Sequence, residues 1–316
     1  MTITEIIDEV CGPINYDPNN AVHIARALRW INAEALDSAW LFDWPDYISR
    51  NDTFTTDGSE SYDLSSDTYF AALAKEVEQD YFKNPTQQAQ NEPKSVLKDL
   101  LPVLLSQVKR PVVAMKLTNF IQQELTEKQV QIFHTSPVVE ERIVKAGWGG
   151  VIDQGTGDYL LLNNASVGGM KSSLLVGQES TLEITTLPDG SLMHALTITR
   201  THTGAGVWPD FKNINYIRIA TPLNSSLESM IINSQKTQAV DTTIEAQKTV
   251  FGVRFDTDPG HTSTLQVKYI IPAVDRIKTF SLMYQKQSGT LSEKLRVTLD
   301  GQAKFDSLVV KDILIR

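Results

Sequence analysis

Five histidines, His23, His134, His194, His202 and His261, are the residues in this chain best suited to chemistry. A histidine acts as a base when a nucleophile and an orienting acid stand beside it. It ligates metal at spacings such as H-x-x-x-H or H-E-x-x-H. Neither spacing occurs here. His23 lies beside Ile24 in a helical pattern, His134 ends a strand-like run, and His194 sits among apolar neighbours. His202 opens the glycine loop "THTGAG", and His261 tips a turn. Each is read as a packed or solvated histidine, and no catalytic residue is assigned. Asp256, Asp258 and His261 crowd "DTDPGHT", where a calcium or zinc site competes with turn chemistry. Asp caps free amides there, Pro fixes φ and Gly accepts positive φ. The EF-hand spacing is missing, so the turn reading is taken, with no metal and no cofactor expected. "GWGGVIDQGTGDY" and "NNASVGGMKSS" lack the phosphate-loop pattern G-x-x-x-x-G-K-[ST] and read as linker and entry loops. The candidate binding loop is "THTGAGVWPDFKN", with Trp208 and Phe211. Loops at the ends of β-rich domains carry recognition, and exposed aromatics suit sugar or protein contacts. Packing of Trp208 into the core is the competing reading.

These residues must be positioned by a chain of 316 residues, long enough for two or three domains. With 41% hydrophobic and 21% charged residues it can bury real cores. No apolar run of about 18 residues occurs, so no membrane span is expected. The start, "MTITEIIDEVCG", has no basic n-region and reads as no secretory signal. The single cysteine, Cys11, excludes an internal disulfide and a cysteine-rich zinc site. Residues 1–64 hold twelve acids and three bases, which is the whole of the net −9; the remainder is neutral, and the first lysine is Lys75. So sharp a shift suggests segments of different origin. It also speaks against nucleic-acid binding, which draws on a cationic face.

The periodicities divide the chain in three. Residues 1–66 form an acidic segment. Thr2 to Glu5 make a capping box, Ile3, Ile6, Ile7 and Val10 follow at helical spacing, and a second helix carries Ile24, Leu28, Ile31 and Ala35 on one face. A hairpin then turns at Asp57-Gly58. Residues 67–150 read as a helical or α/β segment: helices near 67–81, in "NEPKSVLKDLLPVLLSQVK" and in "VVAMKLTNFIQQEL", a short strand "KQVQIFH", and a helix "SPVVEERIVKAG". Ser136 caps that last helix, Pro137 takes its first position and Gly147 ends it. From residue 151 the period becomes two. "TLEITTLPDGSLMHALTITRTH" is a hairpin with Leu182 and Ile184 facing Leu192, Ala195 or Leu196, and Ile198, and "KTVFGVRFDTDPGHTSTLQVKYIIP" reads as a second. Eight or nine strands spaced by turns predict an antiparallel β-sandwich over 151–316. The fold class is therefore α+β: N-terminal helices with a hairpin, a small helical or α/β middle, and a C-terminal sandwich.

Two resemblances accompany this reading. "YDPNNAVHIARALRWINAEALDSAW" followed by "DWPDYISRNDTFTTDGSESYDLSSD" resembles the N-terminus of tailed-phage head–tail connector proteins. The blocks "EVEQDYFKNP", "KSVLKDLLPVLL", "EKQVQIFHTSPVVEERIVKAGWGGVI", "DYLLLNNASVGGMKSSLLV", "LPDGSLMHALTITRTHTG", "KTVFGVRFDTDPGHTSTLQVKYIIP" and "YQKQSGT" occur in that order. They resemble the C-terminal half of a bacterial cell-surface family of unknown function. The front half of that family is similar to LytR–CpsA–Psr cell-wall polymer transferases and has no counterpart here. The resemblance implies a non-enzymatic surface or scaffold protein, extracellular or on the cell surface. Its partner would be a protein or cell-wall glycan, with room for a homo-oligomer. The connector resemblance implies the alternative, a virion structural protein. A remnant of the transferase is the third reading; it would hydrolyse a lipid pyrophosphate with magnesium.

Overall fold

The computed structural model describes residues 53–55, 61–63, 75, 83, 85, 111–155, 157–207, 210–273, 280–290 and 292–316. The chain divides into two compact units, Met1–Gly149 and Gly150–Arg316. The boundary expected near residue 66, the helices expected before residue 110, Cys11, His23 and Trp208 all lie outside the described residues.

In the first unit, β1 (Thr53–Thr55) and β2 (Ser61–Asp63) pair antiparallel; the turn expected at Asp57-Gly58 lies outside the described residues. Helix α1 spans Pro111–Thr126 and helix α2 spans Pro137–Lys145. Pro137 opens α2, where its missing N–H costs nothing. Ser136 is the N-cap residue, but its hydroxyl makes no capping bond. The entry is tied instead through His134. Its N–H donates to Glu140 Oε2 at 2.7 Å, and its Nδ1 accepts from the Ser136 N–H at 2.9 Å. At the other end Gly147, with φ +76°, lets the Trp148 N–H return to the Ile143 carbonyl at 3.0 Å. The run "KQVQIFH" is not a strand. Ile132 makes a backbone bond to Trp148 and no ladder forms.

The second unit is built from two sheets. One has six strands: β3 (Asp158–Met170), β6 (Asp210–Pro222), β9 (Asp241–Glu245), β10 (Lys248–Arg254), β12 (Leu282–Gln285) and β15 (Ile313–Ile315), in the order β15-β12-β3-β6-β10-β9. The other has seven: β4 (Val176–Thr186), β5 (Leu192–His202), β7 (Ser226–Ile232), β8 (Gln235–Lys236), β11 (Thr262–Ile271), β13 (Glu293–Leu299) and β14 (Gln302–Val309), in the order β14-β13-β4-β5-β11-β7-β8. A single apolar cluster draws on both, including Leu160, Ile217, Ile219 and Phe251 from the first, Leu182, Leu196, Ile198, Leu265 and Val267 from the second, and Phe255 just after β10. Each such side chain contributes about 1.5–3 kcal/mol on burial, and the period-two spacing sends them to the same side.

Several expectations are corrected. Two pairings are parallel, β3 with β12 and β4 with β13, so the sheets are not purely antiparallel. β10 and β11 are not a hairpin: β10 pairs with β6 and β9, while β11 pairs with β5 and β7 in the opposite sheet. The Pro259-Gly260 turn is real, with Gly260 at φ +71° and the His261 N–H bonded to the Asp258 carbonyl. It carries the chain between sheets. "SLVVKDILIR" is two strands in two sheets, and "NNASVGGMKSS" is the end of β3 and a short 3-10 turn (Ser172–Leu175). The β4–β5 hairpin forms, and of Ala195 and Leu196 it is Leu196 that pairs with Leu182, with His194 opposite Ile184.

The cluster becomes polar toward one end. Asn215 donates to Asn164 at 3.0 Å, Asn164 to Gln178 at 3.1 Å and Gln178 to Glu293 at 2.5 Å; the Tyr284 hydroxyl donates to the other Glu293 oxygen. Burial raises the Glu293 carboxyl above its ordinary 4.5, although Tyr284, Gln178 and Lys286 all favour its charged form. The fold therefore prefers Glu293 protonated. Its contribution to stability is complete below pH 4.5 and is lost as pH rises through the elevated value. Denaturant unfolding of wild type and Glu293→Gln from pH 4.5 to 8 is expected to show the variant gaining on wild type as pH rises. A constant difference would contradict the assignment.

Candidate functional site

β3 ends, β4 begins, β5 ends and β6 begins at one end of the second unit. The register fixes this: Met170 pairs with Asp210, and Val176 with His202. Residues 203–207 lie at that end and are held by two buried side chains. His202, 1% exposed, uses both ring nitrogens: Nε2 is 3.0 Å from the Phe211 carbonyl, and Nδ1 accepts from the Gly204 N–H at 3.1 Å. One nitrogen must donate and the other accept, which fixes the neutral Nε2–H tautomer. Asp210, also buried, accepts from the N–H of Ala205 at 2.7 Å and of Gly206 at 3.3 Å with one oxygen, while its own N–H returns to the Val207 carbonyl at 2.8 Å. The Thr203 N–H and hydroxyl both donate to the Leu175 carbonyl. Gly204 has no substitute, because a Cβ there would fall on the Asp210 carboxylate and within 2.7 Å of His202 Cε1.

This end of the unit presents apolar side chains to solvent. Phe211 is 43% exposed, Val207 62%, and Val167 and Leu175 stand exposed on the adjoining β3 and 3-10 turn. Of the two aromatics expected to form a binding loop, Phe211 is placed here. The other residues with chemical potential are absorbed elsewhere. His194 is fully buried, with Nδ1 3.0 Å from the Tyr269 hydroxyl and Nε2 3.1 Å from Asp158 Oδ2, off the line of a hydrogen bond. Burial, followed by the Asp158 charge, pushes the Tyr269 hydroxyl well up. Asp256 and Asp258 both pair with Lys212, and Arg254 grips Asp256. His261 Nδ1 lies 2.8 Å from the Pro259 carbonyl. Among the described residues, no three of His, Cys, Asp or Glu gather where a metal ion could sit.

Sequence reasoning missed a shallow cleft of about 290 Å³ on the outer face of the six-stranded sheet. Tyr216 and Arg218 on β6 reach across β10 to Asp241 and Glu245 on β9. Gly252 makes room, since a Cβ there would meet the Tyr216 ring within 2.8 Å. The Asp241 bond raises the Tyr216 hydroxyl, and the Arg218 bond lowers the Glu245 carboxyl. The cleft's charged groups are thus spent on one another across the strand.

No family model and no curated protein matches this sequence. Among solved structures, the chain is similar to a protein described as nutrient-binding from Legionella pneumophila, at 12% identity over 45% of this chain and 54% of that one, with a TM-score of 0.32. It is also similar to an M1 zinc metallopeptidase from Deinococcus radiodurans, at 15% identity over 42% and 33% of the two chains and a TM-score of 0.22. Leukotriene A4 hydrolase from Saccharomyces cerevisiae matches at 9% identity over 44% and 27%, with a TM-score of 0.23. The chain spans about half the length of the first and a third or less of the others.

The loop's geometry yields a test. Asp210→Ala strands the Ala205 and Gly206 amides, and Gly204→Ala displaces the same contacts. Each is expected to cost about 1–3 kcal/mol in denaturant unfolding and to open residues 203–209 to limited proteolysis. Wild-type stability and protease resistance in both variants would refute the anchoring.

Proposed function

We propose that the chain is a non-enzymatic surface or scaffold protein of a bacterium, and that its C-terminal β-sandwich engages a protein partner through the loop end of Val167, Leu175, Val207 and Phe211. The observation that supports this reading is the combination of a pinned backbone and exposed apolar side chains. His202 and Asp210 anchor the loop while Val207 and Phe211 stay in solvent. A loop ordered in advance loses little entropy when it binds. Three of the four exposed side chains are aliphatic, which favours an apolar protein surface over a glycan, for which stacked aromatics serve better. The resemblance of the ordered blocks to a bacterial cell-surface family suggests the setting. The likeness of residues 1–66 to phage connectors favours a second reading, a virion structural protein.

The test is retention of the labelled full chain on cells of its source bacterium, before and after surface proteins are shaved with protease. Binding to untreated cells, lost on shaving, is expected, and Phe211→Asp is expected to weaken it about tenfold or more. Its melting temperature should stay close to wild type, since Phe211 is 43% exposed. Retention that survives shaving but not glycan digestion would move the partner to the cell wall. No retention, with ring-shaped oligomers in negative stain, would replace this reading with the virion one.

A further inference from the structure

The inward face of β5 runs Leu192, His194, Leu196, Ile198, Arg200, His202. Arg200 is 5% exposed between the sheets. Its Nη1 donates to Asn213 Oδ1 at 3.0 Å, whereas its Nε–H is sealed from solvent and makes no hydrogen bond. Among the described residues no carboxylate pairs with it. Burial draws its pKa down to about 10, so it still carries its charge at neutral pH.

Two further buried groups without hydrogen-bond partners are the hydroxyls of Ser180 and Thr257. The register places Ser180 on the same inward face as Arg200 and Thr257 beside the residue that Arg200 bonds. Gln178 faces Arg200 across the β4–β5 ladder, which makes Ser180, opposite Ile198, a diagonal neighbour on the same inward face. Thr257 bridges Asn213, the residue that holds Arg200 Nη1. Ser263, also buried, faces Arg200 from β11.

A fixed cation and two hydroxyls with no acceptor to serve form a donor set that lacks its acceptor. An unpaired buried charge costs several kcal/mol, and a neutral water would satisfy an N–H without balancing the charge. We infer that Arg200, Ser180 and Thr257 bind one small monovalent anion of the halide class, for which chloride is the physiological candidate. A multivalent oxyanion would carry a larger desolvation cost and oxygens that these three donors cannot serve.

The site is independent of the loop-end surface, so the two ideas fail separately. Crystals of the full chain soaked in sodium bromide are expected to give an anomalous peak within about 3.5 Å of Arg200 Nε, Ser180 Oγ and Thr257 Oγ1. In solution, a hundredfold rise in chloride, with ionic strength held by gluconate, is expected to raise the melting temperature by about 4 °C or more, in a saturable manner. Ser180→Ala and Thr257→Val keep the shape of the core and are expected to reduce that shift at least by half; Arg200→Met, where it folds, should abolish it. A water in place of the bromide peak, or an equal chloride response in both hydroxyl variants, would overturn the inference.

Discussion

Two sheets that share one inner layer must satisfy, from within that layer, every polar group they place in it. β5 makes the constraint visible. Its inward positions are apolar through Leu196 and Ile198 and polar on either side, His194 toward one end and Arg200 and His202 toward the other. A buried donor or acceptor left without a partner costs more than a made hydrogen bond returns. The neighbouring strands therefore carry complementary groups at matching registers. Tyr269 faces His194 across the β5–β11 ladder, and Asp158 approaches from the other sheet. At the opposite end the amides of Asn164, Gln178 and Asn215 pass hydrogen bonds from strand to strand until they reach Glu293. These networks specify which strands may face one another far more narrowly than aliphatic packing does.

The same constraint reaches the surface. His202 is the last inward residue of β5, and Asp210 opens β6. Because both are buried, residues 204–206, whose amides they bind, are tied to the layer. Its amides are bound by a ring nitrogen and a carboxylate that cannot move without opening the core. That arrangement converts core order into a fixed display of Val207 and Phe211.

How much was legible follows from range. The β4–β5 hairpin, the entry and exit of α2, and the Pro259-Gly260 turn are set by residues close in sequence, and they were readable. Partner choice was not. "KTVFGVRF" and "TLQVKYII" alternate equally well whether they pair with each other or join opposite sheets; the choice depends on β6 and β9 offering Lys248–Arg254 a better ladder. The parallel pairs likewise join segments more than a hundred residues apart. Short strands such as β8 and β9, exposed throughout, carry no apolar alternation to betray them. Arg200 had a signal: in "LTITRTH" it falls two residues after an inward Ile198, and period two alone sends it inside. Phe211 was found from its loop context, whereas the role of Asp210 beneath that loop needed coordinates.

The sheet edges bear on how such a unit meets a partner. A free edge invites strand addition unless charge, twist or shortness discourages it. β9 is five residues long, with Asp241 and Glu245 at its ends, each already bound by a side chain from β6. β14 carries Lys304 and an Asp306 paired to Arg296, and its ladder with β13 is irregular at Val297/Thr298. β15 has three residues and β8 two. Each edge therefore bears at least one recognised deterrent to backbone pairing, and association through strand addition is disfavoured. Contact between side chains at the loop end requires no free edge, and there the amides of residues 203–206 are already bonded to Leu175, His202 and Asp210. A partner of the kind proposed would meet apolar side chains beside amides already tied down by His202 and Asp210.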